Sequence, residues 1–131
     1  MSSLEHELTI ERFESGDIEA GLFDHEAHVY IAWLFVTKFD LAKAVSRFES
    51  GLRRLTAKLG VPKKYHATIT WFFMLLIAER SCENEGWSAF RARNPDLISQ
   101  SKTTLDRYYS RARLFSDAAR KQFVLPDRLP A

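Results

Sequence analysis

The sequence predicts an all-α fold, a compact helical bundle with two buried central helices and short C-terminal helices. Three observations carry this. An amphipathic stripe repeats at helical spacing between Leu41 and Leu59. Two runs, Val29 to Val36 and Trp71 to Ala78, are apolar on nearly every face. Only five glycines and four prolines interrupt the chain, and no Asn-Gly or Asp-Gly hairpin signal occurs.

At the N-terminus, Ser3 to Ser15 reads as a short acidic helix ended by Gly16-Asp17. Asp24 can cap a second helix running to about Lys38, whose apolar run places it at the centre of the bundle. In the third, Leu41, Ala44, Val45, Phe48, Leu52, Leu55 and Leu59 share one face. Asp40 stands at its cap, Gly60 just past its end, and Pro62 follows as a stop signal. A helix from Pro62 to about Glu83 comes next, buried along Ile69 to Ala78. Both apolar runs could be read as buried strands, but they are rich in Ala, Leu and Met and have no evident strand partner. Beyond Gly86 the pattern predicts short helices near 87–93, 96–109 and 116–123, then an extended tail from Leu125.

A length of 131 residues, with 46% hydrophobic, 13% aromatic and 27% charged residues, fits one globular domain spanning 1–131. The net charge of +2 is too small to imply a polyanionic partner, which argues against nucleic acid despite the basic segment Arg107 to Arg113. Charge is unevenly spread, however. Residues 1–28 hold eight acids and one base, and residues 100–131 hold seven bases and three acids. The two ends are therefore expected to attract each other within the fold or across a homodimer.

Cys82 is the sole cysteine, so neither an internal disulfide nor a thiolate zinc cluster can form within one chain. The N-terminus lacks the basic start and apolar core of a signal peptide, so the expected compartment is the cytoplasm. The eight-residue apolar runs fall short of the ~20 residues that span a bilayer, which argues against a membrane protein.

Short connections favour antiparallel neighbours, so the second and fourth helices should begin at the same end of the bundle. His25 and His28 lie three apart in the first turn of one, and His66 lies near the start of the other. The positive end of a helix favours neutral imidazole, the form that binds a metal. His25, His28 and His66 are thus candidate ligands for a divalent metal such as zinc or iron, with Asp24 or Glu26 in support and Tyr65 and Thr70 lining the site. The histidine spacing in Asp24-His25-Glu26-Ala27-His28 does not match HExxH, which excludes the zinc-protease pattern. The rival reading makes these histidines helix caps in a non-catalytic interaction or dimerisation module.

The segments Phe23-Asp24-His25-Glu26-Ala27-His28, Ala32-Trp33, Gly60 to His66, Thr68-Ile69-Thr70, Tyr109-Ser110-Arg111, Ala119-Arg120 and Pro126-Asp127 resemble a widespread, uncharacterised family of small bacterial helical proteins. The resemblance runs from about Phe13 to Asp127 and implies that the histidine segments are family features. It implies no activity or cofactor. The expected function is a metal- or small-ligand-binding helical protein, with a metal-dependent enzyme as one form of it.

Overall fold

A computed structural model describes residues 7–128, and every regular element among them is helical. The α-helices are α1 (Ile10–Ser15), α2 (His25–Lys38), α3 (Leu41–Lys58), α4 (Ala67–Arg80), α5 (Trp87–Arg93), α6 (Pro95–Ser99), α7 (Ser101–Tyr108), α8 (Arg111–Leu114) and α9 (Asp117–Lys121). Single 3-10 turns lie at Ala20–Leu22 and Pro62–Lys64. No described helix is long and apolar enough to cross a membrane.

The long helices start where acceptor side chains answer their first free N–H groups. Asp24 accepts from the Ala27 amide at 2.9 Å, and Asp40 from the Lys43 amide at 2.9 Å. At the end of α3 the chain turns through Gly60 at φ +77°, a conformation that costs glycine little. The first described helix differs from expectation. Thr9 is extended and its side chain accepts from the Arg12 amide, so α1 begins afresh at Ile10, and the predicted residues 3–6 lie outside the described part.

The fourth helix also starts later than the sequence predicts. Pro62 opens a separate 3-10 turn, Tyr65 and His66 are extended, and α4 begins at Ala67 with His66 as its cap. The expected helix over 96–109 is broken at Gln100 into α6 and α7. Ser99, Gln100 and Ser101 meet at this break, and serine competes for backbone hydrogen bonds in non-helical geometry.

An aromatic cluster seals α1 onto the long helices. Phe13, fully buried, stacks on Phe48 at 5.1 Å between ring centroids and meets Phe35 edge-on at 5.7 Å. Gly51 of α3 makes the room: a Cβ there would collide with the Phe13 ring. The first turn of α2, the last turns of α3 and the first turn of α4 all line one cavity, so the three helices run up, down and up. On the other flank, Trp87 and Phe90 of α5 pack against Trp33 of α2. Arg80 ties α4 to Asn94 and Asp96, at 3.1 and 2.9 Å.

The predicted attraction between the acidic and basic ends takes a different form. Glu14 pairs with Arg47, Glu26 with Arg91, and Glu7 and Asp17 with Arg12. No salt bridge among the described residues joins 7–28 to 100–128, because α1 lies on α3, which supplies Arg47 and Arg54. The basic end instead clasps its own tail. Ser110 donates its amide and hydroxyl to Asp127, Tyr109 donates its hydroxyl to the Val124 carbonyl, and Arg113 reaches the Leu125 carbonyl.

Candidate functional site

The Tyr65-to-Thr70 segment assigns a separate task to each of its polar side chains. Tyr65 donates its hydroxyl to Glu49, which also accepts from the Trp71 indole at 3.0 Å, while the Arg53 guanidinium lies 4.2 Å over the Tyr65 ring. Burial and the Glu49 carboxylate together push the Tyr65 phenol well above its usual range. His66 is 7% exposed and uses both ring nitrogens. Nδ1 accepts from the Ile69 amide at 3.2 Å, which leaves the proton on Nε2, and Nε2 donates it to the Leu114 carbonyl at 2.7 Å. Burial lowers the His66 pKa, the Leu114 bond opposes that shift, and the Arg120 charge adds to it. Thr68 donates to the Gln122 carbonyl and accepts from the Val124 amide.

Thr70 differs from its neighbours. It lines a cavity of about 380 Å³ between α2, α3, α4 and the 3-10 turns, together with His28, Tyr65 and His66. Leu52, Leu55, Leu59, Val61, Ile69 and Phe23 supply most of the remaining wall, with Ala20, Thr56 and Lys64 toward solvent. The size and mainly apolar lining are those of a small-molecule site.

Most polar groups around this cavity are already engaged. Thr56 donates to the Arg53 carbonyl, and Tyr65 and His66 are satisfied as described. The His28 imidazole and the Thr70 hydroxyl make no hydrogen bond to any described residue. Neither has a polar atom sealed from solvent without a partner, so both present hydrogen-bonding capacity to the space they line. His28 sits deep, with Phe23 and Phe48 rings at 5.7 and 5.3 Å, yet keeps some accessible surface because it faces the cavity. Burial, and secondarily the nearby His25, push its pKa down to about 4, so the ring is neutral at pH 7.

The other residues expected at the site go elsewhere. His25 is 6.3 Å from His28 between ring centroids, but its Nε2 hydrogen-bonds the Leu97 carbonyl at 2.7 Å and it does not line the cavity. Glu26 turns to Arg91 at 2.9 Å and fastens α2 to α5. Asp24 is engaged as the α2 cap. Among the described residues no group of three or more His, Cys, Asp or Glu is arranged to hold a metal ion. His6 lies outside the described residues.

A second cleft of about 450 Å³, bordered by Trp33, Val36, Thr37 and the segment 81–85, is more open and more polar. Its Thr37, Ser81, Cys82 and Glu85 are already engaged with backbone carbonyls or Arg93.

The cavity residues absent from the sequence expectation include Lys64, Phe23, Ala20, Val61, Ile69 and the end of the α3 stripe. Leu52, Leu55 and Leu59 carried a signal, since they continue the apolar face toward the end where the histidines gather. Lys64 carried none, because a lysine after proline reads as solvated surface. No known protein family, curated protein or solved structure matches the chain.

Proposed function

We propose that the protein binds a small organic molecule in the cavity between α2, α3 and α4, with His28 and Thr70 as its polar contacts. The observation that supports this most is that both present unused hydrogen-bonding groups into a mainly apolar space of about 380 Å³. At ~30 Å³ per water-sized group, that volume accommodates about a dozen such groups. Both groups are reached by solvent through the cavity, so a ligand that pairs with them takes the place of water.

Neutral His28 both donates and accepts, and so does the Thr70 hydroxyl. The pair therefore suits a hydroxyl, carbonyl or amide on an apolar body. Tyr65 contributes its ring, held by Glu49, and His66 contributes a wall. The donor set favours an organic ligand over zinc or iron, since one imidazole opens on the cavity where the sequence expectation had three.

Saturation-transfer NMR with a panel of small aliphatic and aromatic fragments tests the reading. Fragments that bind wild-type protein should lose their signal in Thr70→Val and in His28→Leu, both with helical circular dichroism retained. Unchanged signals in both folded variants would place the binding elsewhere.

A further inference from the structure

The charges at the cavity narrow the chemical class of its ligand, an inference that rests on the binding reading above. Among the described residues, Lys64 is the only charged one in the lining, and no carboxylate lines the cavity. Its ammonium makes no hydrogen bond or ion pair with any described residue. It stands on the exposed 3-10 turn Pro62–Lys64, on the solvent side of the lining, while Leu52, Leu55, Tyr65 and Thr70 are buried.

The surroundings reinforce the sign. Lys63 is adjacent in the same turn, and Arg120 donates to the Lys63 carbonyl while its charge reaches His66. Glu49, which contacts the lining residue Tyr65, is occupied by the Tyr65 hydroxyl and the Trp71 indole, with Arg53 4.0 Å away. A ligand lying in the cavity therefore meets an apolar interior with a neutral imidazole and a hydroxyl, and Lys64 at its mouth.

We infer that the ligand is an amphiphilic carboxylate: a mainly apolar body, carrying the hydroxyl or carbonyl that pairs with His28 and Thr70, enters among Leu52, Leu55 and Ile69, and the anion stays at the mouth against Lys64. An acid carried in to His28 would give up its water among apolar walls, whereas at the rim it stays hydrated and meets Lys64, which places the anion at the rim. An ion pair at an exposed rim is modest, worth at most about fivefold in binding and screened by salt. The apolar body supplies most of the affinity and Lys64 the choice of charge.

Paired probes of matched shape test this, each with a hydroxyl for His28 and Thr70 at its far end: 8-hydroxyoctanoate against 1,8-octanediol, and 4-(4-hydroxyphenyl)butyrate against 4-(4-hydroxyphenyl)butanol. Binding is followed through the His28 ring resonances, in wild type and Lys64→Gln. The acids should bind wild type about fivefold more tightly than their alcohols at ~0.01 M ionic strength, with the ratio shrinking at ~0.15 M. Lys64→Gln should bring the ratio close to one and leave the alcohols unaffected. Equal binding of acid and alcohol to wild type, or a ratio that survives Lys64→Gln, overturns the carboxylate assignment while leaving the cavity as a binding site. If no probe moves the His28 resonances at all, the assignment falls together with the binding reading.

Discussion

His66 donates its Nε2 proton to the Leu114 carbonyl oxygen at 2.7 Å, across 48 positions of sequence, while its Nδ1 caps α4. One imidazole thus starts a central helix and holds the C-terminal segment against it. His25 makes a comparable bond to Leu97. His66 spends both ring nitrogens and His25 its Nε2 on backbone groups, and among the described histidines only His28 makes no hydrogen bond.

His66→Ala should cost about 2–4 kcal/mol. About 1 of that is the lost cap, and the rest is the buried Leu114 carbonyl left without its donor. His66→Asn restores the cap and should recover about 1 kcal/mol. Urea unfolding of the three proteins measures both steps, and a His66→Ala midpoint equal to wild type would contradict this role.

Acid should weaken the fold through His28. Its pKa is 6.5 when unexceptional and about 4 here, so the unfolded chain takes up its proton first as pH falls. The neutral ring's contribution is whole above pH 6.5 and declines through the interval down to about pH 4. There it has lost about 3 kcal/mol. His66 acts in the same direction. The urea midpoint of wild type should therefore fall more steeply between those pH values than that of His28→Gln. Parallel profiles would show that His28 titrates alike in both states.

The parts of this fold that were legible in the sequence are those whose signals are local. Asp24, Asp40 and Gly60 mark helix ends through short-range chemistry, and α2 and α3 lie within a residue of where those signals put them. The start of α4 was not legible. Pro62 is a good first-turn residue in isolation, whereas the extended Tyr65 and His66 are held by Glu49 and Leu114, 16 and 48 positions away. The site divides in the same way. His28, His66, Tyr65 and Thr70 were placed at one end by topology, and they do line one cavity. Which nitrogens remain open depends on partners 48 and 72 positions away, Leu114 and Leu97, which no spacing rule reaches.

Gly51→Ala should destabilise the protein although alanine is the better helix former. The propensity gain is about 1 kcal/mol, whereas the new Cβ overlaps the Phe13 ring, which is held between Phe48, Phe35 and Phe23. Overpacking of this kind costs about 1–3 kcal/mol. Thermal unfolding should show a lower Tm, and an increase would mean that Phe13 has room to move.

The two anchors of the tail should differ in weight. Thr68 is fully buried and serves both Gln122 and Val124, so Thr68→Val removes two part-buried hydrogen bonds, together worth about 1–3 kcal/mol. Asp127 is exposed at the surface, and Asp127→Ala should have the smaller effect. Amide hydrogen exchange at Val124 should accelerate strongly in the first variant and weakly in the second. The reverse order would shift the main anchor to Ser110 and Asp127.

The division of labour among the histidines is tested most directly by long-range proton–nitrogen NMR of the imidazole rings during titration with a fragment that binds. The Nδ1 and Nε2 signals of His28 should move as the fragment saturates, while those of His66 keep the pattern of a neutral ring protonated on Nε2. A fragment that saturates the protein with His28 unmoved, or that displaces the His66 nitrogens from their backbone partners first, would contradict the account.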